Sequence, residues 1–205
     1  MLDSTGFDLW ANNYDINVNI IEKNDSYPFA GYRKILNKIY NEIREKKAKK
    51  ILDIGFGTAF LTEKLYNDNI EIYGIDFSKK MVEIAKEKMP LANLVEYDFS
   101  KGYPEIFKNE KFDFIIFTYS IHHLTTSQKV SFINDLKNYL EKYGKILIAD
   151  VAFEKIVELE KCKNDNIDLW DNDEIYMVYE ELKEKIKDLK FDKITFCSGI
   201  FSISK

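Results

Sequence analysis

Residues 50–59 read KILDIGFGTA, and this stretch decides the fold. A short apolar run around Leu52 stops at Gly55, and the helical spacing of Leu61 and Leu65 follows it. A strand that passes into a helix through a glycine-containing turn begins a βαβ unit. The stretch therefore predicts the first strand and first crossover of an α/β sheet.

The same alternation continues along the chain. Apolar runs predict further strands at 70–75, 93–97, 112–119 and 145–151, and amphipathic stretches predict helices between them. Near the end of the chain the pattern predicts a helix over 175–189 and then a hairpin of strands 193–197 and 200–203, turning at Ser198-Gly199. Such alternation is typical of a doubly wound, mostly parallel sheet, in which ligands bind beyond the carboxyl ends of the strands.

Ahead of this pattern, residues 1–49 are predicted to form a helical extension, because aromatic and aliphatic residues recur there at three- and four-residue spacing. We expect one domain over 1–205. It would comprise a helical leader or lid over 1–49 and a Rossmann-like core over 50–205.

Composition excludes several classes of protein. The 205 residues carry 35 acidic and 30 basic side chains, a net charge of −5, and so lack the positive field that draws proteins to nucleic acid or to anionic membranes. No apolar run reaches the roughly 18 residues of a membrane span. The two cysteines, Cys162 and Cys197, show no metal-binding spacing, and no apolar signal region begins the chain. We expect a cytoplasmic protein with no metal site and no membrane partner.

Acidic residues end three successive predicted strands. Asp53 precedes the glycine turn, where a carboxylate suits a cationic group of a ligand rather than a pyrophosphate. The nicotinamide-binding fingerprint also needs a third glycine at position 60, where Phe60 stands. These two features disfavour a dinucleotide-dependent dehydrogenase.

The next two acids suit an adenosine. Asp76 ends the second strand, where an acid accepts hydrogen bonds from ribose hydroxyls. Asp98 offers an acceptor for an exocyclic amine, and Phe99 offers a ring for an adenine face. Any one of these acids is equally well explained as a cap or turn residue, so the prediction depends on the three acids and the glycine turn together.

Five motifs together resemble the class I S-adenosylmethionine-dependent methyltransferases, and in particular small bacterial members whose substrates are largely unassigned. These motifs are Asp53-x-Gly55-x-Gly57, Asp76, Asp98-Phe99, the strand from Phe112 with Ser120–Leu124 after it, and Gly144–Ile148. The resemblance implies a seven-stranded, mostly parallel sheet in the order 3-2-1-4-5-7-6, with strand 7 antiparallel. Ala59 departs from the family, which usually has a third glycine there, and we expect it in the first helical turn with a negative φ.

The resemblance also implies the cofactor, S-adenosylmethionine, its product S-adenosylhomocysteine, and eight cofactor-binding residues. These are Asp53, Gly55 and Gly57 at the methionine part, Asp76 at the ribose, Asp98, Phe99 and Phe77 at the adenine, and Tyr119 after the fourth strand. A core role for Phe77 fits the sequence equally well.

Two residues are candidates for catalysis. Methyl transfer from a sulfonium needs alignment and exclusion of water, and it needs a base only when the nucleophile arrives protonated. His122 and His123 are the only histidines, and adjacent side chains face different ways, so we take His122 as the candidate base, with a loop-packing role as the alternative. Tyr14 lies on the leader helix, which in the resembled family folds over the cofactor; ordinary core packing is its alternative.

The sequence thus predicts a methyltransferase acting on a small-molecule acceptor by in-line displacement. A non-catalytic S-adenosylmethionine-binding or interaction protein is the alternative, because catalysis by alignment needs no obligatory side chain. An RNA or protein methyltransferase is a less favoured variant.

Overall fold

The computed structural model describes residues 25–205 of the chain. The helices of this part are α1 (Tyr32–Glu45), α2 (Thr62–Asn67), α3 (Lys79–Lys88), α4 (Thr126–Leu136), α5 (Ile156–Asp165) and α6 (Tyr179–Leu182). Single 3₁₀ turns lie at Phe99–Lys101, Glu105–Phe107, Ile121–His123 and Lys137–Tyr139. Within 25–205, every helix is too short or too polar to cross a membrane.

The strands form one sheet in the order β3-β2-β1-β4-β5-β8-β7, with a short β6 paired to β5. They are β1 (Lys50–Ile54), β2 (Glu71–Asp76), β3 (Asn93–Glu96), β4 (Phe112–Thr118), β5 (Leu140–Phe153), β6 (Met177–Val178), β7 (Leu189–Lys193) and β8 (Ser198–Ser204).

This order confirms the predicted fold class. The predicted strands 6 and 7 are β7 and β8, and β8 runs antiparallel to both β5 and β7. The strands β1 to β5 are parallel along the sheet, and β1 lies between β2 and β4. The carboxyl ends of the first five strands therefore meet at one edge, where the sequence analysis placed the ligand site.

Apolar side chains cover both faces of the sheet. On β4, Ile115 and Ile116 point to opposite faces and belong to separate buried clusters. Helix α1 packs on the face of Ile116 through four buried residues, Ile35, Leu36, Ile39 and Ile43. Helix α4 packs on the other face through Phe132, Ile133 and Leu136. A strand buried on both faces explains why the centre of β4, residues 114–117, reads as an unbroken apolar run.

Two helix starts follow the predicted capping chemistry. Ser78 Oγ accepts a hydrogen bond from the backbone N–H of Met81 at 3.1 Å and so caps α3. Thr125 and Gln128 form the full capping box at the start of α4.

The prediction for 175–189 was wrong. Residues Met177–Val178 pair with the end of β5 as β6, and the short helix α6 follows. Asp188 then takes a left-handed conformation, φ +63°, immediately before β7. The apolar residues recur at helical spacing here because a strand, a short helix and a turn each bury one or two of them.

The final hairpin forms, but its predicted turn was misplaced. The strands are β7 and β8, and residues 194–197 connect them, so the predicted strand 193–197 is mostly loop. Gly199 lies within β8, where an added Cβ would come within 2.4 Å of Phe191 Cε2. This glycine permits close packing rather than a turn.

Candidate functional site

The site begins at the glycine loop after β1, where three residues have positive φ. Gly55 has φ +75°, Gly57 has φ +54° and Ala59 has φ +62°. The expectation that Ala59 has a negative φ was wrong, because α2 begins only at Thr62 and Ala59 belongs to the loop. Left-handed backbone at a non-glycine residue is costly and is concentrated at functional sites.

The two glycines have different surroundings. An added Cβ at Gly55 would lie 2.4 Å from Ser120 Cβ and 2.8 Å from Ser120 Oγ, whereas one at Gly57 would have nothing within 4 Å. Ser120 has little freedom to retreat, because its hydroxyl donates to the carbonyl of Ile54 at 2.7 Å. The lack of a side chain at Gly55 therefore allows the loops after β1 and β4 to pack closely, whereas Gly57 leaves open space at the cleft.

This difference predicts unequal effects of the same substitution. Gly55→Ala should lower the free energy of unfolding by about 2–4 kcal/mol, from left-handed strain and the collision with Ser120. Gly57→Ala should cost about 1 kcal/mol, from strain alone. Urea denaturation of the two variants measures this, and equal losses would contradict the assigned geometry.

Asp53 lies beneath the loop and is 1% exposed. Its Oδ2 accepts a hydrogen bond from the Thr62 hydroxyl, whereas its Oδ1 is buried without a hydrogen-bond partner among the described residues. Burial raises the pKa of Asp53 to about 7; the Thr62 hydrogen bond opposes this rise and the charge of Asp76 adds to it. A buried carboxyl with an unpartnered oxygen favours a cationic ligand group beside it.

Asp76 ends β2 and connects two backbone segments of the site. Its Oδ2 accepts from the N–H of Gly57 at 2.8 Å, and its Oδ1 accepts from the N–H of Ser78 at 2.9 Å. Asp76 is 4% exposed, so these contacts are largely shielded from water. Asp76 thereby couples the glycine loop to the start of α3.

A cleft opens beyond these groups at the carboxyl edge of the sheet. Its lining includes six of the eight predicted cofactor contacts, which are Gly55, Gly57, Asp76, Phe77, Phe99 and Tyr119. Asp53 lies just below the lining. Asp98 does not belong to the lining of this cleft; its side chain is 43% exposed and accepts from the N–H of Ser100 at 3.0 Å. Its contact with adenine stays a prediction.

Aromatic side chains form much of the cleft wall. Phe99 is buried and stacks on Phe132 with a ring separation of 6.3 Å. Phe77 is only partly buried, and its ring lies 6.3 Å from that of His123. Phe77 lines the cleft, and the two roles that the sequence left open for it, a ligand contact and core packing, both stay predictions.

Tyr119 follows β4 with φ +54°, a conformation that is rare for a bulky residue. Its ring lies 5.2 Å from Tyr32 and 5.3 Å from Phe29. The left-handed turn directs the chain across the sheet edge, toward the 3₁₀ turn that carries the two histidines.

The two histidines face different surroundings. His123 lines the cleft, and burial, with a smaller contribution from the charge of His122, lowers its pKa to about 3. His122 is 8% exposed, and its Nδ1 lies 2.9 Å from Asp150 Oδ1. Its Nε2 lies 3.5 Å from Glu174 Oε1. His122, the candidate base, thus lies between two carboxylates. The neighbouring His123 is the histidine that lines the cleft.

Several site residues were missed by sequence reasoning. Thr62, which bonds to Asp53, and Tyr32, which lines the cleft from α1, carry no recognisable motif. Asp150 had a signal, because it follows an apolar run as Asp53 and Asp76 do. Tyr14, the other catalytic candidate, lies outside the described residues.

Comparisons with known proteins agree with this geometry. A family model described as "Methyltransferase domain" matches residues 45–181. An uncharacterized methyltransferase of Alkaliphilus oremlandii is 34% identical over 203 residues, covering 97% of this chain and 90% of that protein. One from Anoxybacillus flavithermus is 40% identical over 147 residues, covering 72% of this chain and 66% of that protein.

Solved structures share the fold at low sequence identity. The DhpI complex with S-adenosylhomocysteine superposes with a TM-score of 0.66 at 13% identity, covering 98% of this chain and 93% of that chain. Magnesium protoporphyrin IX methyltransferase from Synechocystis, also with bound S-adenosylhomocysteine, gives a TM-score of 0.66 at 15% identity, covering 86% and 84%.

Proposed function

Because the chain belongs to the class I S-adenosylmethionine-dependent methyltransferases, we propose that it transfers the methyl group of that cofactor to a small-molecule acceptor by in-line displacement. The observation that supports the site most directly is Asp53, whose buried Oδ1 lacks a hydrogen-bond partner among the described residues.

The residues present fit the cofactor. The unpartnered oxygen of Asp53 suits the cationic methionine part, and Gly57 leaves open space above the loop. Asp76 ends β2, where the ribose hydroxyls of an adenosine are expected, and Phe77 and Phe99 offer rings for the adenine. When bound, the cofactor supplies a methyl group on a sulfonium, which is already a good leaving group.

The protein's own part is to orient the reactants and exclude water. Tyr32, Phe60 and Tyr119 provide apolar walls around the cleft. The low pKa of His123 keeps its imidazole neutral near pH 7, where it can donate or accept a hydrogen bond but is a weak base. We therefore propose an acceptor whose nucleophilic atom needs little help in losing a proton.

Charge supports a small-molecule acceptor over nucleic acid. The chain has a net charge of −5 and only two arginines, Arg33 and Arg44, both on α1. A fold neighbour, magnesium protoporphyrin IX methyltransferase, is itself named for a small molecule. We also propose a cytoplasmic location, which the two free, buried cysteines support.

A turnover assay tests the proposal. The protein is incubated with S-adenosylmethionine and, separately, with small-metabolite, RNA and protein fractions of a bacterial extract, and S-adenosylhomocysteine is quantified. We expect product with the small-metabolite fraction. Product with the RNA or protein fraction alone would refute the small-molecule acceptor, and tight cofactor binding without turnover in any fraction would favour the non-catalytic alternative.

A further inference from the structure

A chain of polar side chains runs beside the cleft, from β5 to the residues just ahead of α1. His122 Nδ1 lies 2.9 and 3.0 Å from the two carboxylate oxygens of Asp150, and its Nε2 lies 3.5 Å from Glu174 Oε1. The Tyr176 hydroxyl donates to Glu174 Oε2, and the hydroxyls of Tyr176 and Tyr27 are 2.5 Å apart. Four separate segments of the chain are joined in this way.

The protonation state of His122 decides whether this chain of contacts is complete. A neutral imidazole carries one N–H and can donate to only one of two carboxylates, whereas the imidazolium donates from both nitrogens. Both ring nitrogens of His122 face carboxylates: Nδ1 is hydrogen-bonded to Asp150, and Nε2 forms an ion pair with Glu174. Asp150 is 1% exposed, so the single N–H of a neutral ring would stay on Asp150 and leave the Nε2 lone pair facing the Glu174 carboxylate. Only the charged ring serves both Asp150 and Glu174.

The surrounding charges agree with an imidazolium. Burial acts to lower the pKa of His122, but the charge of Asp150, its hydrogen bond and the charge of Glu174 outweigh this and raise that pKa. Lys129 opposes them weakly from α4; burial lowers its own pKa to about 8. His123, the other titratable group beside the ring, is neutral near pH 7.

The same region anchors the segment 170–178. Ile175 N–H donates to the His122 carbonyl at 2.9 Å, and Lys129 Nζ donates to the Ile175 carbonyl at 2.6 Å. Within the segment, Trp170 stacks on Tyr27 with a ring separation of 5.3 Å and an interplanar angle of 11°. These hydrogen bonds hold the backbone of Ile175 in place, and the side chains of Glu174 and Tyr176 connect the segment to Tyr27.

The anchored segment reaches the cleft through short contacts. Tyr27 lies two residues before Phe29, whose ring packs on Tyr119 in the cleft lining. His123, adjacent to His122, lines the cleft directly. A change in the position of Tyr27 would therefore be transmitted to the wall beyond β4.

We propose that His122 is a positioning residue whose imidazolium clamps Glu174 to Asp150 and thereby holds segment 170–178 and Tyr27 in place beside the cleft. The clamp, made of these three charged residues, is closed below the pKa of His122 and opens as the pH rises through it. Because Tyr27 and the Trp170 ring depend on the clamp, its opening loosens their stacking.

Fluorescence provides a test that needs no acceptor. Trp10 and Trp170 are the only tryptophans, so the Trp10→Phe variant reports on Trp170 alone. We expect its emission to change as the pH rises through the pKa of His122, with a midpoint equal to the pKa measured by NMR from the Cε1 shift. Emission that does not change across the measured pKa would overturn the proposal.

Two further variants identify the group whose titration causes the fluorescence change. Adding His122→Gln should remove it, whereas the matched control His123→Gln should retain it. A transition that survives in the His122→Gln variant would belong to another group, such as Lys129 or Cys162, whose pKa values are both lowered, and would also overturn the proposal. If His122→Gln fails to fold, Glu174→Gln decides the matter: it should move the midpoint to lower pH, and an unchanged midpoint would refute the clamp.

The consequence for turnover rests on the proposed function. We expect kcat to fall with the same midpoint, and this fall to be absent in the His122→Gln variant. Absence of turnover would count against the proposed function and would leave the fluorescence transition as it is, so the two failures are distinguishable.

Discussion

Asp53→Asn is expected to stabilise the protein and to weaken cofactor binding severely. Burial raises the pKa of Asp53 from 3.8 to about 7, so the carboxylate destabilises the folded state at any pH above its ordinary pKa. This penalty grows as the pH rises from about 4 and is complete above about 7. At roughly 1.4 kcal/mol per pKa unit it amounts to about 4 kcal/mol at most.

The stability of the variant can be followed against pH. At pH 8 we expect Asp53→Asn to raise the free energy of unfolding by about 2–4 kcal/mol, or Tm by roughly 5–10 °C. At pH 5 the wild-type carboxyl is protonated in the folded state, and the gain should fall to less than half. Thermal denaturation at the two pH values measures this; a variant that is less stable than the wild type at pH 8 would contradict the assigned burial penalty.

Cofactor affinity should depend on pH in the opposite sense. A cationic ligand group favours the carboxylate, so binding below pH 7 must first ionise Asp53 and should weaken by about tenfold per pH unit. Calorimetry in buffers of different ionisation enthalpy should detect the released proton at pH 6. The asparagine variant should bind S-adenosylmethionine weakly and without this dependence, and a wild-type affinity that is constant from pH 6 to 8 would refute the role of Asp53.

Asp76→Ala is expected to abolish measurable S-adenosylmethionine binding. It removes the acceptor for the ribose hydroxyls and also releases the N–H of Gly57, which Asp76 holds at 2.8 Å. Hydrogen bonds to a charged group contribute about 1.5–3 kcal/mol each, so the loss of two corresponds to at least a hundredfold in Kd.

The matched control is Asp192→Ala, which removes a carboxylate that is 51% exposed on the edge strand β7. Isothermal titration should give a wild-type Kd for this control, and circular dichroism should show that Asp76→Ala remains folded. An unchanged affinity in folded Asp76→Ala would refute the placement of the ribose.

The sequence predicted the first five strands of the sheet better than the end of the chain. The strands β1 to β5 could be predicted because each carries an apolar segment near a turn or an acidic residue, and local pattern suffices for that. The part of β5 before Lys145 was not predicted. The end of the chain was harder, since the apolar residues of 175–189 repeat at helical spacing while belonging to β6, α6 and a turn. Pairing of Met177–Val178 with β5 overrides the helical pattern there.

The candidate site also has features that could be predicted from the sequence and features that could not. The placement of Asp53, Gly55, Gly57 and Asp76 at the carboxyl edge of the sheet could be predicted, because the topology brings strand ends to one edge regardless of side-chain detail. The left-handed φ of Ala59 could not, because it depends on where α2 begins.

The sequence by itself determined the α/β fold class, since this depends on hydrophobic periodicity, and its family resemblance implied the sheet order and the cofactor. Only the tertiary structure decided the surroundings of the two histidines. They are adjacent in the chain, yet His122 lies between Asp150 and Glu174, which are 28 and 52 residues further along, while His123 lines the cleft. The charge and orientation of a buried imidazole depend on such distant neighbours, and no local pattern contains them.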